Sequence, residues 1–311
     1  MKLIESKVEI IEQEPGLEGV YKMAELAGRT AYKSEDRITE GSAKKFVEAL
    51  MKLKHGAVLE HGTVYLKISH TSPVADRYYM KKMNVVNFYA RNKYSKHKRV
   101  TEDYFHIDHY ITTNLRVIFE NDRLDDLQYL CEPTEHHEKR ITVKFICSRS
   151  IAQEITRHRV FSFLMESQRY VGYNKEKFGG EITVIIPEWI KARINDIASY
   201  NNNDDLAQIP YSEAIMDKRM EEDMSIITWR NAQGISENYY MRLTELGCKS
   251  EEARGVLTND CKTELIMTGF VSDWKHFFDL RSRGTTGKPH PDIKILADNL
   301  LFQFINKDYI K

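Results

Sequence analysis

No run of about 18 apolar residues occurs in the chain, so no segment is expected to span a bilayer as a helix. The first ten residues, MKLIESKVEI, lack the apolar core of a secretory signal. Cysteine is scarce: Cys131, Cys147, Cys248 and Cys261 stand apart, with no Cys-x-x-Cys pair. A disulfide framework is therefore not expected. The four suit a reduced, cytoplasmic setting, where they read as small core side chains. Net charge is also missing, because 46 Lys and Arg balance 46 Asp and Glu. No global field draws in nucleic acid or an anionic membrane, so an anion site has to be local. No GxGxxG follows a strand and no P-loop occurs, so Rossmann and NTPase readings lack support. Internal repeats and low-complexity tracts are absent too.

The 41% of apolar residues in 311 is enough for a well-buried core. Residues 17–29 read as a short helix. A second runs from Ser42, as N-cap, through Phe46, Ala49, Leu50 and Leu53 at helical spacing. Segments 63–68, 141–147 and 182–186 favour strands, the last stopped by Pro187. Residues 201–205 read as a polar loop. From about Tyr211 the chain is expected to be mostly helical. One long segment reaches Leu246, with a possible break at Gly234, and Ser250 caps the next, with Glu251 and Glu252 at its positive end. The last helix repeats Ile293, Leu296, Ala297, Leu300, Leu301 and Phe304. Strands early and helices late point to an α+β fold, a mixed α/β single domain with a central sheet and segregated helices.

Residues 71–140 are rich in Tyr, His, Lys and Arg, with a basic run at 92–99. They read as a solvated loop and helix. A local anion or RNA contact through the Tyr-rich stretch 89–99 is the alternative, which the neutral chain disfavours. Glu135, His136, His137 and Glu138 do not suit a metal, because adjacent histidines seldom chelate one ion and no second cluster stands at zinc spacing. His61, His106 and His109 read as surface or structural histidines.

The densest polar cluster in an apolar setting is residues 157–170, with three arginines and two serines among aromatics. Burying arginine is costly unless an anion pairs with it, and its planar fork suits phosphate. A nucleotide or ring-plus-phosphate site fits this composition. So does a set of ion pairs at a subunit interface.

The order of the residues carries more. Arg157-His158-Arg159, then seven residues, then Ser167, with Ser162 and Arg169 at intermediate and terminal positions, resembles the RHR-x7-S motif of the flavin-dependent thymidylate synthase family. Residues 27–32 resemble that family's early helix. The stretch from His55 to His61 resembles its G-H-x-S-x-x-E-H segment, with Lys54 for the leading Gly. Arg254-Gly-Val-Leu and residues 274–281 resemble its late active-site helices. The whole of 1–311 then reads as one such domain, with an insertion at about 71–140.

That resemblance implies a homotetramer with active sites shared between subunits. It implies methylation of dUMP to dTMP on bound FAD, with NADPH as reductant and methylenetetrahydrofolate as carbon donor. By carry-over, Arg157, His158, Arg159, His55 and His276 hold FAD. Glu154, Arg157, Ser167, Gln168, Arg169 and Arg254 contact dUMP, and Arg281 polarises the uracil ring. No metal and no catalytic cysteine are implied, and the Pro-Cys-His/Gln context of the cysteine-dependent thymidylate synthase is absent. Several positions depart from the pattern. Ala57 replaces a Ser or Thr, and Met165 stands where many members have Glu or Gln, with Glu166 following. Phe270 and Ser272 replace an Asn and an Arg at the adenine end of FAD, and the loop leading to His290 is longer. A flavin-binding relative acting on another pyrimidine is the remaining alternative.

Overall fold

The computed structural model describes residues 1–71, 78–101, 106–174, 179–200 (without the Tyr200 side chain), 206, 208–217, 220 and 223–310. The polar loop expected at 201–205 lies outside them. Three sheets organise the chain. A four-stranded antiparallel sheet runs in the order β2 (Lys7–Ile11), β6 (Arg140–Ser148), β9 (Lys262–Phe270), β7 (Ser162–Met165). A three-stranded one runs β3 (Thr63–His70), β5 (Ile107–Asn114), β4 (Lys96–Thr101). The third pairs β1 (Lys2–Ile4) in parallel with β8 (Thr183–Ile185).

In the four-stranded sheet the side chains alternate between two different environments. Val143, Phe145, Leu265 and Met267 point into a core closed by two late helices, α11 (Val271–Arg281) and α12 (Pro291–Asn306). Trp274 is its centre, fully buried against Phe161 at 4.7 Å and Phe304 at 5.4 Å. The opposite face is polar and meets α1 (Gly16–Tyr32) and His61. His61 is fully buried. Its Nδ1 lies 2.8 Å from Thr268 Oγ1, which is 2.8 Å from Thr142 Oγ1.

Helix α1 reaches further than residues 17–29, to Tyr32. A Cβ at its Gly28 would sit 2.8 Å from the Phe46 ring, so a larger residue there would push that ring aside. Helix α2 (Ser42–Lys52) begins one residue earlier than expected, with Gly41 at the cap at φ +70°. The Ser42 hydroxyl instead donates to Glu25 at 2.7 Å. The buried face of α2 is Ala43, Val47 and Leu50, while Ala49 and Leu53 face solvent. A turn α3 (Gly56–Leu59), α4 (Tyr79–Arg91) and α5 (Leu115–Glu120) complete the unit around β3–β5–β4. Strand β3 does not alternate in burial, because both of its faces are covered.

The C-terminal expectation needs the largest correction. Strand β9 sits in the middle of the sheet, in a region expected to be helical, and helices cover both faces rather than segregating. Its Leu265-Ile266-Met267 run is buried on both faces, and such a run has no period that separates strand from helix. Between β8 and β9 lie α7 (Glu188–Tyr200), α8 (Tyr211–Ala214), α9 (Met224–Glu245) and α10 (Ser250–Ala253). Gly234 does not break α9, whose cap Asp223 accepts from Ser225 N and Ile226 N at 2.8 and 3.1 Å. The cap of α10 is Lys249 rather than Ser250. The last helix buries its repeat as expected, with Leu301 only half covered. No helix among the described residues is long and apolar enough to cross a membrane.

On the three-stranded sheet, three imidazoles form one hydrogen-bonded file. His70 Nδ1 is 2.8 Å from the Thr71 carbonyl, so it carries the proton and its Nε2 accepts. His109 Nε2 then donates to it at 3.1 Å, and His97 Nε2 donates to His109 Nδ1 at 2.8 Å. His109, which donates through one nitrogen and accepts through the other, is neutral in this arrangement. Burial first, then His97 and His70, hold His109 down at about 4. Burial and Arg140 hold His61 at about 3.

Both groups are uncharged when folded but protonate near the ordinary histidine pKa of about 6.5 when unfolded. The unfolded chain therefore binds more protons as pH falls below 6.5, and stability falls with it. Each site is expected to lose about 2.5 kcal/mol by pH 4.5. Urea midpoints at pH 7 and 4.5 measure this, and His61→Asn or His109→Gln should flatten the pH slope whatever it does at pH 7. A midpoint indifferent to pH across this range would contradict the assignment.

Candidate active site

The cluster at 157–170 is a turn followed by a strand. Ser148 ends β6, and its hydroxyl accepts from Ile151 N at 3.3 Å, capping α6 (Arg149–Ile155). The chain then doubles back: Arg157 N donates to Glu154 O, His158 N to Ile155 O and Phe161 N to His158 O, at 3.1–3.3 Å. Arg157 and Arg159 face solvent, while Phe161 drops into the core in the space that Gly269 leaves open. Strand β7 carries Ser162 and Phe163 back along β9.

His158 and the last residue of α11 meet across this turn. Arg281 Nε donates to His158 Nε2 at 3.0 Å, Nη1 to Glu154 Oε2 at 3.0 Å and Nη2 to Glu154 O at 3.3 Å. Because His158 Nε2 accepts, its ring proton sits on Nδ1. Burial, Arg281 and His276 hold its pKa at about 4, so the imidazole is neutral at pH 7. Three of the five N–H groups of Arg281 are spent here, and two remain to meet a ligand.

Beside the turn lies a cleft of about 730 Å³, lined by Arg159, Val160 and Ser162, by Phe270 and Asp273, and by Arg140. Arg140 is 8% exposed. Its Nη1 donates to Glu60 O at 2.9 Å and its Nη2 to Ser162 Oγ at 3.4 Å, while its Nε has no partner among the described residues. Burial lowers its pKa to about 10, so it remains a cation. A buried guanidinium with an unused donor at the edge of a cleft is suited to an anionic ligand.

Residues 77–307 match the family model described as thymidylate synthase complementing protein. The chain belongs to this family, that of the flavin-dependent thymidylate synthases. Among curated relatives, the flavin-dependent thymidylate synthase of Pyrococcus furiosus is 28% identical over 165 residues, 53% of this chain and 54% of that protein. That of Corynebacterium efficiens is 29% identical over 163 residues, 52% and 55% of the two chains. That of Synechocystis sp. is 27% identical over 163 residues, 52% and 66%. The chain thus spans about half the length of the first curated relatives it matches. A solved structure titled as a UMP/dUMP methylase PolB from Streptomyces cacaoi, bound with 5-Br dUMP, aligns over 98% of this chain and 93% of its own. The likeness is distant, at TM-score 0.42 and 15% identity.

Against the family expectation, the residues fall into separate groups. Glu154, His158 and Arg281 form one constellation, and exposed His276 on α11 is close enough to depress His158. Arg159 alone of the expected cofactor residues lines the cleft. Arg157 and His55 are exposed, His55 at the cap of α3. Arg169 pairs with Glu251 at 3.5 Å and stands over Tyr170, while Arg254 is exposed on the turn that follows α10. Ser167 is held by its amide to Ala31 O at 2.9 Å. Gln168 points inward, its amide 3.5 Å from Tyr173 Oη and from Cys261 Sγ. Burial pushes the thiols of Cys131 and Cys261 up to about 11 and Cys147 to about 12, which keeps them protonated.

Reading the residues alone missed Arg140 and a buried ion cluster behind the motif. Lys262 Nζ is 2.9 Å from Glu166 and 2.5 Å from Glu264, Lys144 is 2.7 Å from Glu264, and Lys33 contacts Glu264 as well. Glu166, the residue after Met165, is 2% exposed and closes this cluster. The partners come from four distant stretches, so no local pattern could announce them. Burial alone would raise the Glu264 carboxyl, but Lys262, Lys33 and Lys144 hold it at about 2. Glu264→Gln leaves three ammonium groups short of a charge, and a loss of about 3 kcal/mol is expected in urea unfolding at pH 7. Adding Lys262→Met should recover part of it. A single variant within about 0.5 kcal/mol of the parent would mean that water screens the cluster.

Proposed function

We propose that the chain methylates dUMP to dTMP with FAD as cofactor, NADPH as reductant and methylenetetrahydrofolate as carbon donor. The observation that carries this reading is the Glu154–Arg281–His158 constellation, which ties the family motif to the end of α11 beside a cationic cleft. When bound, FAD supplies the electron-transfer chemistry that the side chains lack. Arg159 and Arg140 fit the anionic part of that cofactor, Arg140 as a buried guanidinium whose Nε has no partner among the described residues. Arg157, His55 and His276 complete the cofactor's surroundings in this reading, and Ser167, Gln168, Arg169 and Arg254 those of dUMP.

Arg281 is held by three hydrogen bonds that restrict its rotation. Its remaining N–H groups can meet a pyrimidine carbonyl and stabilise negative charge that develops on the ring, with no reorganisation at the moment of reaction. Neutral His158 accepts from Arg281, so it adds no competing positive charge. Because the groups occupy separate surfaces of one chain, we infer a homotetramer whose sites are shared between copies. The stretch at about 71–140 is then an insertion that adds walls to the cleft.

Purified protein is expected to show an oxidised-flavin spectrum, as isolated or after reconstitution, that bleaches with NADPH. A chain that neither copurifies with FAD nor takes it up at micromolar concentration would overturn the reading. Arg281→Ala should lower tritium release from 5-tritiated dUMP by roughly 10²–10³ while flavin stays bound. Lysine should restore only part, since it lacks the planar fork. Near-parental release by the alanine variant would remove Arg281 from the reaction.

A further inference from the structure

The turn that joins α4 to β4 brings Asn92, Lys93, Tyr94 and Lys96 to the rim of the cleft that Arg159 and Arg140 line. This turn is held in place. Asn92 Oδ1 accepts from Tyr94 N at 2.8 Å and from the Ser95 hydroxyl at 3.4 Å, and Ser95 Oγ lies 2.9 Å from Thr113 Oγ1 on β5. The two ammonium groups are therefore presented by a braced element.

Neither lysine forms an ion pair with a described residue. Lys96 Nζ stands 5.4 Å from the centre of the Phe270 ring, and Lys93 Nζ 4.8 Å from that of Tyr94. Ring faces are weak partners for a cation, worth about 0.5–1 kcal/mol where water has access. Two of the three acids of the cleft are engaged elsewhere, Glu60 and Glu120 being held by Arg116 at 2.5 and 2.8 Å. The third, Asp273, accepts from Phe270 N; burial raises its carboxyl, against the charges of Lys96 and Arg140, with which it forms no ion pair. Lys93, Lys96, Arg159 and the unused edge of Arg140 thus form a cationic surplus around one volume. None of the residues assigned to dUMP above lines that volume, whereas Arg159, assigned to the cofactor, does.

We propose that Lys93 and Lys96 grip the diphosphate of the flavin cofactor, so that the cleft selects FAD over flavins that lack a diphosphate. This rests on the flavin-binding reading given above. It assigns to the insertion a task in cofactor choice, at the end of the cofactor where Phe270 and Ser272 depart from the family pattern.

The test compares FAD, FMN and riboflavin, by quenching of flavin fluorescence, on the full chain and on a Lys93→Ala/Lys96→Ala double variant. The parent should bind FAD at least about tenfold tighter than riboflavin. The double variant should lose on the order of 10–100-fold in FAD affinity and stay within about twofold for riboflavin. FAD affinity within twofold of the parent, or an equal loss for riboflavin, would overturn the grip while leaving the flavin reading intact. A parent that binds no flavin at all would overturn both.

Discussion

The antiparallel pairing of β6 with β9 is the constraint on which the rest of the molecule depends. Its register runs from Arg140 opposite Phe270 to Ser148 opposite Lys262, joining segments over a hundred residues apart in sequence. At one end Ser148 launches α6 and hence the motif turn. At the other, Phe270 launches α11, whose last residue returns to that turn. The Arg281 contacts to Glu154 and His158 are therefore a consequence of strand register. A slip of one residue would turn every side chain of β9 to the wrong face. It would carry Leu265 and Met267 out of the apolar core and Glu264 and Thr268 into it.

The two faces of that sheet divide the work. One is apolar and tightly packed around Trp274, and it supplies the hydrophobic stabilisation that every domain needs. The other runs from the Lys262–Glu264–Glu166 cluster through the Thr142–Thr268–His61 contacts to Arg140 at the cleft. Charges in the first part of this file are matched and buried. At the cleft the matching stops, with Arg140 holding an unused donor and Lys93 and Lys96 standing over rings without an ion pair among the described residues. The change from paired to unpaired charge marks the boundary between groups that hold the fold and groups left for a ligand.

Much of this was legible from the residues, and the failures have causes. The helix at 291–306 shows a clean 3.6-residue period because only one of its faces is buried, so its core positions could be read directly. Strand β9 could not be read so, since burial on both faces erases the period. Ser42 and Ser250 have the right chemistry for caps. Which residue of a helix start takes the cap depends on the approach of the chain, and Gly41 and Lys249 hold those positions.

What the sequence by itself determined is the chemistry. The spacing of Arg157, His158, Arg159, Ser162, Ser167 and Arg169 is local, and it is enough to point to the family whose model the chain matches. Only the tertiary structure decided which of those groups act together. His158 turned inward to Arg281, Gln168 inward to Cys261, and Arg159 outward to a cleft floored by Arg140 and rimmed by Lys96. The physical reason is that the protonation and pairing of a side chain are set by neighbours within a few ångströms, and here nearly all of those neighbours come from distant stretches of the chain.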